Sequence, residues 1–337
     1  MLRCAKDLEL KKKIKETFSL LLRLGLSVAL LFYLFKKVDV VKMIDILKEA
    51  NFIYLLVALL LMFVIYFLIL IRWNIFIRYL GIKVPFKSVA RCFLIGAFFN
   101  LFLPTSTGGD VVKIIGLFQD TSEKTKVVAS VLLDRVFGLV ALVLVSIIAF
   151  VSAYKIAYDE FLLIAIGAIF LGTTFGILFL FNERLYSFAC QVFNRWPVVK
   201  NKLMELHYAI VLIKEKKQAL FLAVGISCFV QALLAVTFYL IARGLHQDVG
   251  LIYCIIFVPL ICVASAFPSI GGLGVREVSS VYLFSKVGVA AATAASMSLI
   301  NFLFIVIIGL IGAMVYVCSL YYRRVQCCLS DSEPSKR

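Results

Sequence analysis

Histidine is almost missing from this 337-residue chain: His207 and His246 are the only two, and neither has a ligand-spaced partner. The nine cysteines include no CxxC pair and stand mostly in apolar runs, where a thiol behaves as a small hydrophobe. Imidazole and thiolate metal centres need clustered ligands, so no metal site is expected. No nucleotide-binding glycine loop is visible, and no cofactor is expected either. Charged residues are scarce at 16%, and the acidic ones are fewer than the basic, 19 against 35. With 63% hydrophobic residues and a mean hydropathy of +1.05, the composition excludes an ordinary soluble domain and fits a polytopic helical membrane protein. The net charge of +16 does not point to nucleic acid. Lys and Arg gather beside apolar runs, as at Lys11-Lys12-Lys13 and Lys214 to Lys217, where they set orientation and meet anionic lipid.

Proline is also rare, and two of the six prolines mark the most informative feature. The segments Leu103-Pro104-Thr105-Ser106-Thr107-Gly108-Gly109-Asp110 and Phe267-Pro268-Ser269-Ile270-Gly271-Gly272-Leu273-Gly274-Val275-Arg276-Glu277 hold the only Gly-Gly doublets of the chain. Each follows an apolar run and precedes a charged helix start. Proline and paired glycines break helices. Broken backbone at membrane depth is tolerated only where it is buried in protein or lines a cavity. Two such breaks in corresponding halves point to the binding site of a repeat-built transporter.

A span needs about 20 mostly apolar residues, and 17–35, 52–71, 126–153, 160–181, 219–242 and 290–319 qualify. No small-residue cleavage site follows the first, which reads as an uncleaved span rather than a signal peptide. The runs 88–103 and 251–267 are shorter and end in the Pro/Gly-Gly breaks. If both cross, the basic loop 182–218 falls on the side opposite the Lys-rich N-terminus, against the positive-inside tendency. If both dip in and return, the 72–91 loop, counted with Arg72, the 182–218 loop and the Arg323-Arg324 tail all fall inside. The expected fold is therefore all-α and polytopic: six full spans plus two re-entrant hairpins, in a single domain of the cell membrane with both termini cytoplasmic. The halves, about 52–153 and 219–319, then form inverted repeats. Their register is read from Gly81, 23 residues before Pro104, and Gly244, 24 before Pro268; Asp110 precedes Asp134 by 24, as Glu277 precedes Asn301. The linker 193–217, with Trp196, Leu203 and Ile210 among lysines, suits an amphipathic interfacial helix or a packed connector.

Ionisable residues within apolar spans cost roughly 2.5–3.5 kcal/mol each, which makes them functional suspects. Asp134 and Arg135 lie well inside 126–153 and point about 100° apart, so each needs a partner elsewhere. Candidate pairs are Asp134 with Lys113 and Arg135 with Asp110. Asp110, Lys113 and Gly116 form a stripe expected to face a cavity or the opposite half. Arg276 and Glu277 open the matching helix, and the glycine-led helix starts could hold an anion such as phosphate. An equal reading makes each charged pair a structural lock on its hairpin.

Asn100-Leu101-Phe102-Leu103-Pro104 through Gly109-Asp110, Leu133-Asp134-Arg135, Arg72-Trp73 and Pro268 through Glu277 together resemble the lysylphosphatidylglycerol synthase transmembrane region family, over roughly residues 15–320. That resemblance implies a flippase-like protein that translocates a polar, glycosylated or aminoacylated lipid. The soluble aminoacyl-transferase domain of bifunctional members has no counterpart in these residues, so no enzymatic activity and no catalytic residues are expected. The expected transport residues are Asp110, Lys113, Asp134, Arg135, Arg276, Glu277 and Asn301. The hairpin backbone is assigned to Pro104, Gly108, Gly109, Pro268, Gly271, Gly272 and Gly274. Membrane lipids are the expected partners. The alternatives are a non-transporting partner of a lipid-modifying enzyme or glycosyltransferase and, less favoured, an intramembrane enzyme.

Overall fold

A computed structural model describes residues 45–102, 108–152, 216–265 and 274–331, with 164, 167, 170–172, 174, 175 and 211. The run 17–35, most of 160–181 and of the 193–217 linker, and Pro104, Pro268, Gly271 and Gly272 lie outside the described residues. The described chain is helical, with no strand among the described residues. We label its helices α1 (Phe52–Tyr79), α2 (Phe86–Phe102), α3 (Gly108–Leu117), α4 (Lys124–Ser152), α5 (Lys217–Gly244), α6 (Leu251–Ala264), α7 (Val275–Ser285) and α8 (Ala291–Asp331). Four of them, α1, α4, α5 and α8, are long and apolar enough to cross a membrane. At about 1.5 Å per residue, the 28 residues of α1 and of α5 exceed the ~30 Å hydrocarbon core.

The order long, short, short, long occurs twice. Local chemistry sets the ends in each set. At the start of α1 the Asn51 side chain accepts from the Ile53 amide at 3.0 Å. At its end, Gly81 takes φ +74°, its N–H donates to the Arg78 carbonyl, and the Ile82 N–H donates to that of Ile77. This is a Schellman cap. The end of α5 carries the same cap with His246 in the left-handed position, φ 57°: His246 N–H donates to Arg243 and Gln247 N–H to Ala242. The His246 ring, whose Nε2 lies 3.0 Å from the Glu49 carbonyl, helps hold that conformation. The counterpart of Gly81 is therefore His246, and the register expected from Gly244 is two residues out.

Helices α1 and α5 make the most extensive contact and run antiparallel, the Asn51 N–H donating to the Gly244 carbonyl at 2.8 Å. Helix α2 packs on α8, and α6 on α4. Exchanging the first four helices for the last four leaves this pattern of substantial contacts unchanged, with α1–α5 mapping onto itself. The α2–α8 seam is close because α8 offers Gly309 and Gly312. A Cβ at Gly312 would stand 2.1 Å from the Leu94 carbonyl oxygen, and one at Gly309 2.3 Å from Leu101. Buried apolar residues form one large cluster around α1, α5, α6 and α8 and a second around α1, α2 and α4.

Candidate functional site

Asp110, Lys113, Asp134 and Arg135 of the first half are held in ion pairs, together with Arg72. Asp110, in the first turn of α3, sits 3.2 Å from the Lys113 ammonium through one oxygen and accepts from Arg135 Nε through the other. Lys113 also lies over the rings of Phe93 at 4.6 Å and Trp73 at 5.7 Å. Asp134 pairs with Arg72, whose Nε donates to it at 2.7 Å, and not with Lys113. Arg72 Nη1 donates to Ser227 on α5 at 2.8 Å, so one guanidinium ties α1, α4 and α5 together. Trp73 adds a bond from its indole N–H to Ser130 on α4. Arg72 is 6% exposed and lies within α1, so it is not a loop charge and drops out of the count of cytoplasmic cations.

The α3 stripe faces α2 rather than a cavity. Added Cβ atoms would meet Gly96 and Asn100 at Gly109, and Cys92 at Gly116. The Gly109 amide donates to the Asn100 side chain at 2.9 Å. Gly109 fits here because a Cβ would lie 2.1 Å from the Gly96 oxygen; Gly108 is buried beside it.

The second half is built differently. Gly274 opens α7 at φ +86°, a conformation glycine adopts without strain. Its N–H donates to Glu277 at 2.6 Å, while the other Glu277 oxygen accepts from the Ser298 hydroxyl of α8 at 3.2 Å. Glu277 is fully buried, and Ser280 adds a second tie to α8 through the Ala294 carbonyl. These bonds set Arg276 on the wall of a cavity of about 240 Å³ between α1, α5, α6, α7 and α8. The other polar residues among the described ones on that wall are Asn301, Gln231, Tyr66, Cys262 and Ser265. Asn301 Oδ1 and Gln231 Oε1 are buried beside it and have no hydrogen-bond partner among the described residues. Arg276 lies over the Phe302 ring, 5.5 Å from its centroid.

Tyr66 and Gln231 each stand at the midpoint of a 28-residue helix, so the cavity lies half-way through the bundle. Counted back from Gly81 and His246, Ile65 matches Val230, Tyr66 matches Gln231 and Ile69 matches Leu234. All six line the cavity, which therefore sits where equivalent faces of α1 and α5 meet. Of the expected transport residues, Arg276 and Asn301 reach it; Asp110, Lys113, Asp134, Arg135 and Glu277 are not among its described lining residues. Sequence reasoning missed Gln231 and Tyr66, single polar positions in apolar runs. It treated Arg72 only as part of a motif and a loop, although a cation 20 residues into an apolar helix was itself a signal.

Long apolar helices around a mid-height cavity, lined mainly by apolar side chains with a few polar ones, define a multi-pass helical membrane protein. The chain belongs to the family described as Lysylphosphatidylglycerol synthase TM region, matched over residues 20–313. It is similar to the UPF0104 membrane protein PH1989 of Pyrococcus horikoshii, at 25% identity over 84% of this chain and 91% of the relative. A UPF0104 membrane protein of Methanothermobacter thermautotrophicus is 24% identical, over 76% and 82%. No solved structure gives a significant match.

Proposed function

We propose that this protein moves a polar lipid across the cell membrane, its head group passing through the Arg276–Asn301 cavity while the tails stay in lipid. One observation carries the reading: the buried Arg276 and the side chains of Asn301 and Gln231 line one cavity at the middle of the bundle. Polar groups that expensive at membrane depth are retained for a ligand or a pathway.

The arrangement of the helices supports inverted repeats with re-entrant hairpins. If α2 and α3 form a hairpin that returns to its own side, α4 and the 160–181 run supply two crossings between α1 and α5, which then point in opposite directions. A full crossing at 88–103 would make them parallel. The antiparallel α1–α5 contact favours the hairpin, and with it six spans and two hairpins. Rocking of the halves about the α1–α5 contact would alternate access to the cavity. Both termini are placed in the cytoplasm on the positive-inside tendency, and no catalytic role is assigned.

The test is reconstitution of the purified protein into vesicles carrying fluorescent phospholipids in both leaflets. Addition of a membrane-impermeant quencher should bleach the inner-leaflet label faster with wild type than with Arg276→Ala. Folded wild-type protein that speeds translocation of no lipid tested would refute the proposal and leave the reading as a non-transporting partner.

A further inference from the structure

We infer that the buried Arg72–Asp134 pair is a latch over a second, closed copy of the cavity, and that its release opens that copy while the present cavity shuts. This deepens the proposed function and rests on it for what passes through, though not for the movement itself.

The two halves start their helices in step. Phe52 and Lys217, and Phe86 and Leu251, stand 165 residues apart (217 − 52 and 251 − 86). Gly108 and Val275, and Lys124 and Ala291, stand 167 apart (275 − 108 and 291 − 124). Carried across at those offsets, the cavity wall falls on residues that grip one another. Met62 and Phe238 correspond to Ser227 and Trp73, and Asn301 and Ile305 to Asp134 and Gly138. Arg72 Nε donates to Asp134 at 2.7 Å and its Nη1 to Ser227 at 2.8 Å, while the Trp73 indole donates to Ser130. A Cβ at Gly138 would come within 3.6 Å of the same guanidinium. Ile261, Ser265 and Arg276 correspond to Gly96, Asn100 and Gly109, where α3 lies so close on α2 that neither glycine has room for a Cβ.

The packing differs in the same sense. Helix α4 lies closely on α1 and α5, whereas α8 meets both more sparsely, and the cavity lies between. Two halves of like topology in unlike packing are the two ends of one movement, because packed interfaces switch between discrete arrangements and each half can take the other's. For α4 to withdraw as α8 has, Arg72 must part from Asp134 and Trp73 from Ser130. Each charge then needs a new partner, since a stranded buried ion is costly. A space the size of the present cavity, about 240 Å³, holds about eight waters at ~30 Å³ each. Water or a polar head group would take over both charges, so the parted pair would line a pathway.

The test is double electron–electron resonance on the full-length protein in phosphatidylcholine nanodiscs, with spin labels at exposed positions of a Cys-less background. Leu139 with Phe229 reports α4 against α5, and Leu310 with Val64 reports α8 against α1. Arg72→Gln and Asp134→Asn each break the ion pair. In either variant a second population should appear in both label pairs, with α4–α5 longer and α8–α1 shorter. Its ratio to the first should rise about tenfold or more over wild type, the worth of one hydrogen bond to a charged group. Unfolding lengthens and broadens distances, so a discrete shortening between α8 and α1 cannot come from it. Ser130→Ala, which removes only the acceptor of the Trp73 indole, should raise the same ratio about threefold, so the test survives a charge variant that fails to fold. Distances that stay put in every folded variant, or an α4–α5 distance that lengthens with α8–α1 unchanged, would overturn the latch. Running the same variants in the translocation assay separates the two proposals. Exchange of the two distances with no lipid translocated refutes the transport reading alone, and translocation with both distances fixed refutes the latch alone.

Discussion

Arg72→Leu removes the cation from one of the two most buried ion pairs described in the protein. Arg72 and Asp134 meet at 2.7 Å with side chains 8% and 11% exposed, and Ser227 takes another guanidinium N–H at 2.8 Å. Removing one partner of such a pair strands the other, at a cost of about 3–5 kcal/mol. Removing both, as Arg72→Leu/Asp134→Leu, leaves an apolar contact of similar volume and should cost far less than the two single changes added together. The unfolded chain in a bilayer or micelle also finds partners, and this trims interhelical hydrogen bonds to roughly 0.6 kcal/mol on average. A buried guanidinium held by a carboxylate and a hydroxyl should stay above that, and a coupling of at least about 2 kcal/mol is expected. The assay is reversible unfolding of the purified protein in mixed micelles by added denaturing detergent, run on wild type, both single variants and the double. Additive costs, within about 0.5 kcal/mol, would show that the pair does not couple α1 to α4 and would refute its role as a structural tie.

Arg276→Lys keeps the charge but loses the planar fork, so translocation should fall about tenfold or more while the protein elutes as wild type; full activity would show that the guanidinium geometry at the cavity wall does not matter for transport. Gly109→Val should abolish accumulation of folded protein, because its Cβ would lie 2.1 Å from the Gly96 oxygen, whereas Gly225→Ala, with nothing within 4 Å, should be silent by the same size-exclusion readout. Glu277→Leu strands the Gly274 amide and the Ser298 hydroxyl and should lower unfolding stability by about 2 kcal/mol, while Glu277→Gln, still able to accept from the amide, should cost less. Cysteines placed at Lys202 and Asp159 in a Cys-less background should react with impermeant reagents from opposite sides; labelling of both from one side would defeat the six-span topology.

Much of the helix plan was legible because long apolar runs admit little else. The spans read at 52–71, 126–153, 219–242 and 290–319 appear as α1, α4, α5 and α8, and the short runs as α2 and α6. The extension of α1 from 71 to 79 was not legible. Arg72 looked like the end of a span, and only its burial against Asp134 shows why the helix continues through it. The pairing of Arg135 with Asp110 followed from adjacent residues pointing apart. The same argument gave Asp134 the wrong partner, because periodicity within one helix says nothing about which neighbouring helix lies opposite. Arg276 and Asn301 stood out as polar residues in apolar or glycine-rich company. Gln231 and Tyr66 did not, since one polar residue in a membrane helix is commonplace until another is found facing it across a void. The register slip at Gly244 has a local cause: a cap position usually filled by glycine is filled by His246.

The interlocking of α2 with α8 and α4 with α6 has a consequence for biogenesis. A chain made of two self-contained halves could finish the first while the second was still on the ribosome. Here the groove around Leu94 and Phe98 has no cover until Gly309 and Gly312, more than two hundred residues later, have left the exit tunnel. The longest-range seam must close last, which makes assembly slow and leaves the half-made protein open to quality-control proteases. It also means that residues 1–215 expressed alone should be degraded, and that co-expression with 216–337 should rescue them. The bond that saves the first fragment is then supplied by a second polypeptide, so the gene could be split without losing the fold.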